Sequence, residues 1–307
     1  MFPILVIVEF ILITLLSSAS FLIFLKVLQI AWKLDGRRGF GGISPSLVVY
    51  LWQLFILSGT LAAGGVIMVF MWDPAGYANP KMVFWSGLIP GCLIPATPVG
   101  VLFLSLERLI IIKYPLGICS ERIRKVFAIS SVVITVALFL VNFVISFVHP
   151  PKELDRSEAN CFSFACLSSF SSISFYAIDR FVVAVPNFVI SLVFLICLYK
   201  RQGSSEASKR RKMSDRIALL AVLLCLTFDL LPSTINLVYT YVFSGNLSRQ
   251  IGPYRQLTSS MNALGCALVN IKVFRVIYRD HRNSLSNVTP TPAHLGQPQK
   301  HVDISSN

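Results

Sequence analysis

The chain has 307 residues, of which 55% are hydrophobic and only 13% charged, and its mean hydropathy is +0.71. A soluble domain carries about 25% charge, so a water-soluble globule is excluded. The net charge of +13 invites a nucleic-acid partner, but the basic residues are spread as a membrane topology signal, and no nucleic acid is implied.

Crossing the hydrocarbon core takes about 20 consecutive apolar residues as a helix. Seven runs meet that length. The first, 4–31, continues past Ser17-Ser18-Ala19 to Trp32 and has no basic segment before it, so it reads as a span rather than a cleaved signal peptide. Glu9 and Lys26 lie near its ends, where snorkelling to the interface is expected. The second run is 47–72. The third, 82–106, holds Pro90, Gly91, Pro95 and Pro98, and such backbone at membrane depth either lines a cavity or marks a broken packing interface. The fourth is 126–148. The fifth, 176–199, holds Pro186, and the sixth, 217–243, holds Asp229 and Pro232. The seventh is 257–276. None alternates as a barrel strand would, so helices must satisfy the backbone within the lipid.

The expected fold is therefore all-α: a seven-transmembrane helix bundle over residues 1–278, followed by a disordered cytosolic tail, 279–307, rich in Ser, Thr, Pro and Asn. Lys and Arg fix its orientation. They collect in alternate connections, at Lys33 to Arg38, Lys113 to Lys125 and Lys200 to Arg216, and again from Lys272 into the tail. The opposite connections hold only Lys81, Lys152, Arg156, Arg180, Arg249 and Arg255. This asymmetry predicts the N-terminus outside and the C-terminus in the cytosol. Cys161 and Cys166 share the oxidising side and can form a local loop disulfide. Asn246 opens a glycosylation pattern in the last external loop, read here as a chance match.

Asp229 is the acidic residue set in the middle of a span, and a charge there is a functional candidate. It either contacts a ligand or ties the sixth helix to Thr258, Ser259 or Asn262 of the seventh. Counted from Ile217 it lies about 18 Å deep, which suits a pocket floor. Pro90, Gly91, Ile94, Asp229, Thr258, Ser259 and Asn262 are the candidate ligand-binding residues. Their mainly apolar surroundings suit a small molecule with one or two hydrogen-bonding groups.

The third span ends Ser105-Leu-Glu-Arg-Leu-Ile-Ile-Ile-Lys-Tyr-Pro-Leu116. This resembles the rhodopsin-like G-protein-coupled receptors, whose third helix ends in Asp/Glu-Arg-Tyr and, after an interval, Pro-Leu. Leu109 replaces the tyrosine. The resemblance assigns Glu107, Arg108, Pro115 and Leu116 to G-protein coupling, together with Arg211 and Lys212 of the basic internal connection. Lys212 stands where the family has an acidic restraint, and Asp215 is the candidate substitute. By the same resemblance Pro186, Pro232, Asn270 and Phe274 form the activation switch, with Asn270-Ile-Lys-Val-Phe274 a degraded form of the family's Asn-Pro-x-x-Tyr. The family's asparagine in the first span, aspartate in the second and tryptophans in the fourth and sixth are absent. That loss of consensus is similar to the nematode serpentine chemoreceptors, and it implies the plasma membrane, by family resemblance the ciliary membrane of sensory neurons.

The expected function is a chemosensory G-protein-coupled receptor. Its partners would be a small external ligand, a heterotrimeric G protein and the lipid bilayer. The alternative, a small transporter or channel, would carry repeats or matching broken helices in two halves, and neither is visible. No nucleophile–base pair and no metal-ligand spacing stands out, so neither an enzyme nor a cofactor is expected.

Overall fold

A computed structural model describes residues 3–35, 44–72, 79–113, 121–151, 154, 161–168, 175–201, 209–243 and 251–286. Among the described residues the chain is helical and contains no strand. The first helix, α1 (Pro3–Asp35), spans 33 residues, or about 50 Å. In α2 (Pro45–Phe70), Pro45 occupies the first turn and Ser44 caps it, accepting from the Leu47 N–H. The third crossing begins as α3 (Pro80–Leu93) in the same manner, with Pro80 in its first turn and the Asn79 side chain accepting from the Lys81 N–H at 3.0 Å. Proline suits these positions because its missing N–H would have no partner there anyway.

The third crossing is not one helix. It breaks at residues 94–97 and resumes as α4 (Pro98–Lys113). Pro95 and Pro98 remove two backbone donors, and the chain closes the gap with tight turns. The Leu93 carbonyl accepts from the N–H groups of Ala96 and Thr97 at 3.0 and 3.1 Å, and also from the Thr97 hydroxyl at 3.0 Å. Every residue of the break is buried, so the irregular backbone never meets lipid.

The remaining helices are α5 (Glu121–Val148), the five-residue α6 (Phe164–Ser168), α7 (Phe175–Arg201), α8 (Lys209–Cys225), α9 (Leu231–Phe243) and α10 (Tyr254–Ser286). A single π turn, Leu226–Leu230, joins α8 to α9, and the Leu231 N–H reaches back to the Leu226 carbonyl. Pro232 follows at once. A proline and a wide turn side by side are the usual causes of a local break in an otherwise straight helix.

Six stretches among the described residues are long and apolar enough to cross a bilayer: Ile4–Leu34, Pro45–Phe70, Pro80–Lys113, Glu121–Val148, Ile217–Asn236 and Tyr254–Arg279. The expected run 176–199 falls within α7, where the apolar stretch Val185–Cys197 is shorter than the rest. At the far end α10 does not stop at 276. It continues unbroken to Ser286, so residues 279–286, expected to open a disordered tail, are helical. The stretch from Cys266 to Ser286 contains no Gly or Pro to interrupt it. Residues 287–307, Asn246, Pro115 and Leu116 lie outside the described residues.

α1 packs along α2 and α10, and α4 along α7. The core divides into two clusters. One gathers Val6, Phe10, Leu61, Met68, Phe84 and Phe164 at the end of the bundle holding the N-terminus, the N-terminal rim. The other gathers Phe24, Tyr50, Leu104, Phe194, Val222 and Phe274 toward the opposite, C-terminal rim. Outside these cores α5 exposes Val126, Ile129, Val133, Leu140, Val144 and Phe147. Such a belt is untenable in water and belongs against hydrocarbon: this is a multi-span membrane protein.

Candidate functional site

At the C-terminal rim, α4 delivers Glu107 and Arg108 one and a half turns before its end. Glu107 has no exposed surface at all. Its Oε2 accepts a hydrogen bond of 2.6 Å from the Ser44 hydroxyl, the cap of α2, while Oε1 accepts none. The acidic residue of the Glu-Arg pair is thus tied to the start of another helix. Ser44 serves two roles at once, capping α2 and anchoring α4. Arg211 and Lys212 lie in the first turn of α8.

Removing the Ser44 hydroxyl leaves a buried carboxylate with no donor on that oxygen. Ser44→Ala is expected to cost about 1–3 kcal/mol of stability, read as a lowered thermal midpoint of the purified protein in detergent. Ser44→Thr retains the hydroxyl and should restore most of the loss. A Ser44→Ala midpoint equal to that of the wild type would refute the anchoring role.

A polar patch lies within the second core, which includes Tyr50, Cys225 and Cys266. The Tyr50 hydroxyl and Cys266 Sγ share a hydrogen bond of 3.4 Å, and Cys266 in turn donates to Asn262 Oδ1 at 3.7 Å. Asn270 Nδ2 donates to the Cys266 carbonyl at 2.8 Å. Across the bundle, Asn187 Nδ2 donates to Cys225 Sγ at 3.5 Å, and Asn187 Oδ1 accepts from the Ser191 hydroxyl at 3.4 Å. Asp229 is half-buried in the π turn. Of the residues assigned to the switch, Asn270 and Phe274 are buried here, Pro232 sits one turn from Asp229, and Pro186 stands inside α7 on an exposed face.

At the N-terminal rim, a disulfide joins Cys161 to Cys166 and folds the segment between them onto α3. The Ser163 hydroxyl accepts from the Cys166 N–H at 3.2 Å and starts α6. Phe164 is thereby seated on Gly87 and Gly91. Two adjoining cavities of about 10 Å³, each room for one water, flank it. Pro90 and Gly87 line the first, Gly91 and Ile94 the second, and Ser163, Phe164 and Gln256 line both.

The candidate ligand residues therefore separate. Pro90, Gly91 and Ile94 come together at these cavities, whereas Asp229, Thr258, Ser259 and Asn262 line neither. Thr258 donates to the Arg255 carbonyl at 3.1 Å, Ser259 is buried, and Asn262 belongs to the polar patch. Glu9 does not snorkel to the interface: it is 6% exposed, and its Oε2 accepts no hydrogen bond. The face of α1 that bears it packs on α2 and α10, where Ser17 and Ser260 share a hydrogen bond of 2.8 Å. Sequence reasoning missed Ser44, Tyr50 and Phe164. A signal existed for the last, since Gly87-x-x-x-Gly91 is the small-residue spacing that admits a close neighbour. Among the described residues no three His, Cys, Asp or Glu side chains gather as metal ligands would.

The family model described as "Serpentine type 7TM GPCR chemoreceptor Srbc" matches residues 1–281. No curated protein matches the chain.

Proposed function

Because the chain belongs to the Srbc family of serpentine 7TM GPCR chemoreceptors, we propose that it detects a small external molecule and signals through a heterotrimeric G protein. The observation that carries this reading is the match over residues 1–281, nearly the whole chain, which includes the Glu107-Arg108 pair. α7 supplies the seventh crossing. The N-terminal rim faces outward, the C-terminal rim the cytosol, and the plasma membrane, in sensory neurons its ciliary part, is the site of action. The ligand enters at the cavities lined by Pro90, Gly91 and Ile94. Asp229 and Pro232, on either side of the junction between the π turn and α9, belong to the moving part, where a break in the sixth helix lets its cytosolic half swing. Arg108, Pro115, Leu116, Arg211 and Lys212 meet the G protein. The ligand need supply only a difference in affinity between two arrangements of the bundle.

Expression in cultured cells with a calcium or cyclic-nucleotide readout tests the proposal against a panel of small molecules. A saturable response that needs both the receptor and a G protein is expected. Solute or ion flux that persists without any G protein would instead make the chain a transporter or channel.

Orientation has its own test. With epitope tags at Phe2 and Asn307, antibody on unpermeabilised cells should stain only the first, given the excess of basic residues on the other side. Surface staining of the tag at Asn307 would overturn the topology.

A further inference from the structure

Phe164 is held as a bound molecule is held. Its loop is closed by the Cys161–Cys166 disulfide, and its side chain is only 2% exposed. Gly87 and Gly91, one turn apart on α3, form the floor beneath it. A Cβ added at Gly87 would lie 2.6 Å from Phe164 Cβ, and one added at Gly91 would overlap the ring itself at Cδ1 and Cε1. Phe84 supplies an aromatic wall, its centroid 5.5 Å from that of Phe164. The two small cavities lie against the ring. The phenyl group thus fills what would otherwise be one apolar cleft running from α3 to the start of α10. Gln256 borders both cavities and Arg255 the second, so the cleft has a polar edge.

We propose that this notch is the ligand subsite, occupied by the chain's own Phe164, and that a small molecule with one aromatic ring and one hydrogen-bonding group binds by displacing that side chain. The inference rests on the reading of the chain as a receptor for a small external molecule and adds the ligand class. A ligand ring makes the contacts that Phe164 makes, since a ring-sized apolar void takes up a ring, and its polar group faces Gln256. The displaced loop leaves α3, whose lower end is the broken turn at 94–97 leading into α4 and Arg108. Because the resident phenyl competes with the ligand, its removal should tighten ring binding by about 10- to 100-fold.

The test uses the full chain in lipid nanodiscs, with 4-fluorophenylalanine at position 164 followed by fluorine NMR. Titration with benzyl alcohol should replace the buried resonance with a solvent-exposed one, saturably, while 1-hexanol at matched lipid partition leaves it in place. Phe164→Ala should bind 4-fluorobenzyl alcohol about 10- to 100-fold more tightly than the wild type. Phe164→Leu, which keeps most of the plug, should lie between them and stands in should the alanine variant fail to fold. Refilling the notch with Gly91→Leu in either background should abolish the gain. A residue-164 resonance unmoved by benzyl alcohol, one moved equally by 1-hexanol, or variants that bind no tighter would each overturn the subsite. None of these readouts uses a G protein. Ring displacement without any cellular response would count against the signalling role alone, and a cellular response to ring-free ligands with residue 164 unmoved would count against the subsite alone.

Discussion

Arg108→Ala is expected to abolish ligand-evoked signalling while surface expression stays within about twofold of the wild type. Arg108 follows the fully buried Glu107 near the end of α4, at the rim where Ser44 anchors that helix. An always-charged guanidinium at this rim can hydrogen-bond the backbone carbonyls of a docking protein. A hydrogen bond to a charged group is worth about 1.5–3 kcal/mol, so losing one lowers coupling by about 10- to 100-fold, and losing two silences it. Dose–response curves with a surface-epitope control on the same cells measure both quantities. An undiminished maximal response in Arg108→Ala would remove the residue from the coupling surface. Arg108→Lys separates charge from geometry: a point charge without the planar fork should recover only part of the response.

Gly100→Val should have the largest effect on folding. Gly100 lies two residues into α4, packed against Tyr50 and Gln53 of α2. A Cβ there would stand 2.8 Å from Tyr50 Cδ2 and overlap Gln53 Oε1. The tyrosine cannot yield easily, being fully buried and bound to Cys266. Gln53 is the more flexible of the two, although its amide holds Thr135 of α5 at 2.8 Å. Overpacking of this kind costs about 1–3 kcal/mol, and here the clash involves helices from three crossings at once. Surface expression should fall several-fold, and the thermal midpoint of whatever protein is recovered should drop. Adding Gln53→Ala should restore part of the loss, because it removes one of the two clashing groups and leaves the ring of Tyr50. A Gly100→Val receptor that expresses and melts like the wild type would mean that α2 and α4 do not approach so closely.

Several parts of this molecule were legible in the order of its residues. The long apolar runs announced the helices, because a backbone in lipid has no other way to satisfy its polar groups. The stretch Pro90–Pro98 reads as broken from its prolines, and the break comes at 94–97 beside Pro95 and Pro98, while Pro90 stays inside α3. The family match over residues 1–281 agrees with the serpentine resemblance drawn from the loss of the receptor consensus. With no Gly or Pro from Cys266 to Ser286 to stop it, α10 runs past the end of the last apolar run at 276 to Ser286.

Partnership was not legible. Nothing beside Glu107 in the sequence points to Ser44, 63 residues away in the chain, as a hydrogen-bond partner. Glu9 looked like an interfacial side chain, but α1 turns that face inward. Of the residues expected at one pocket, Gly91 lies under Phe164 and Asp229 in the π turn of the sixth helix. The reason is physical. Helix formation and membrane insertion depend on each segment's own transfer energy and backbone donors, which are local and additive along the chain. Which faces meet depends on packing between segments far apart in sequence, where a glycine in one helix matters only through the ring or amide that another helix brings to it. By itself, then, the sequence determined that this is a helical membrane protein of the serpentine kind, and only the tertiary structure decided that Ser44 holds Glu107 and that Phe164 lies on Gly87 and Gly91.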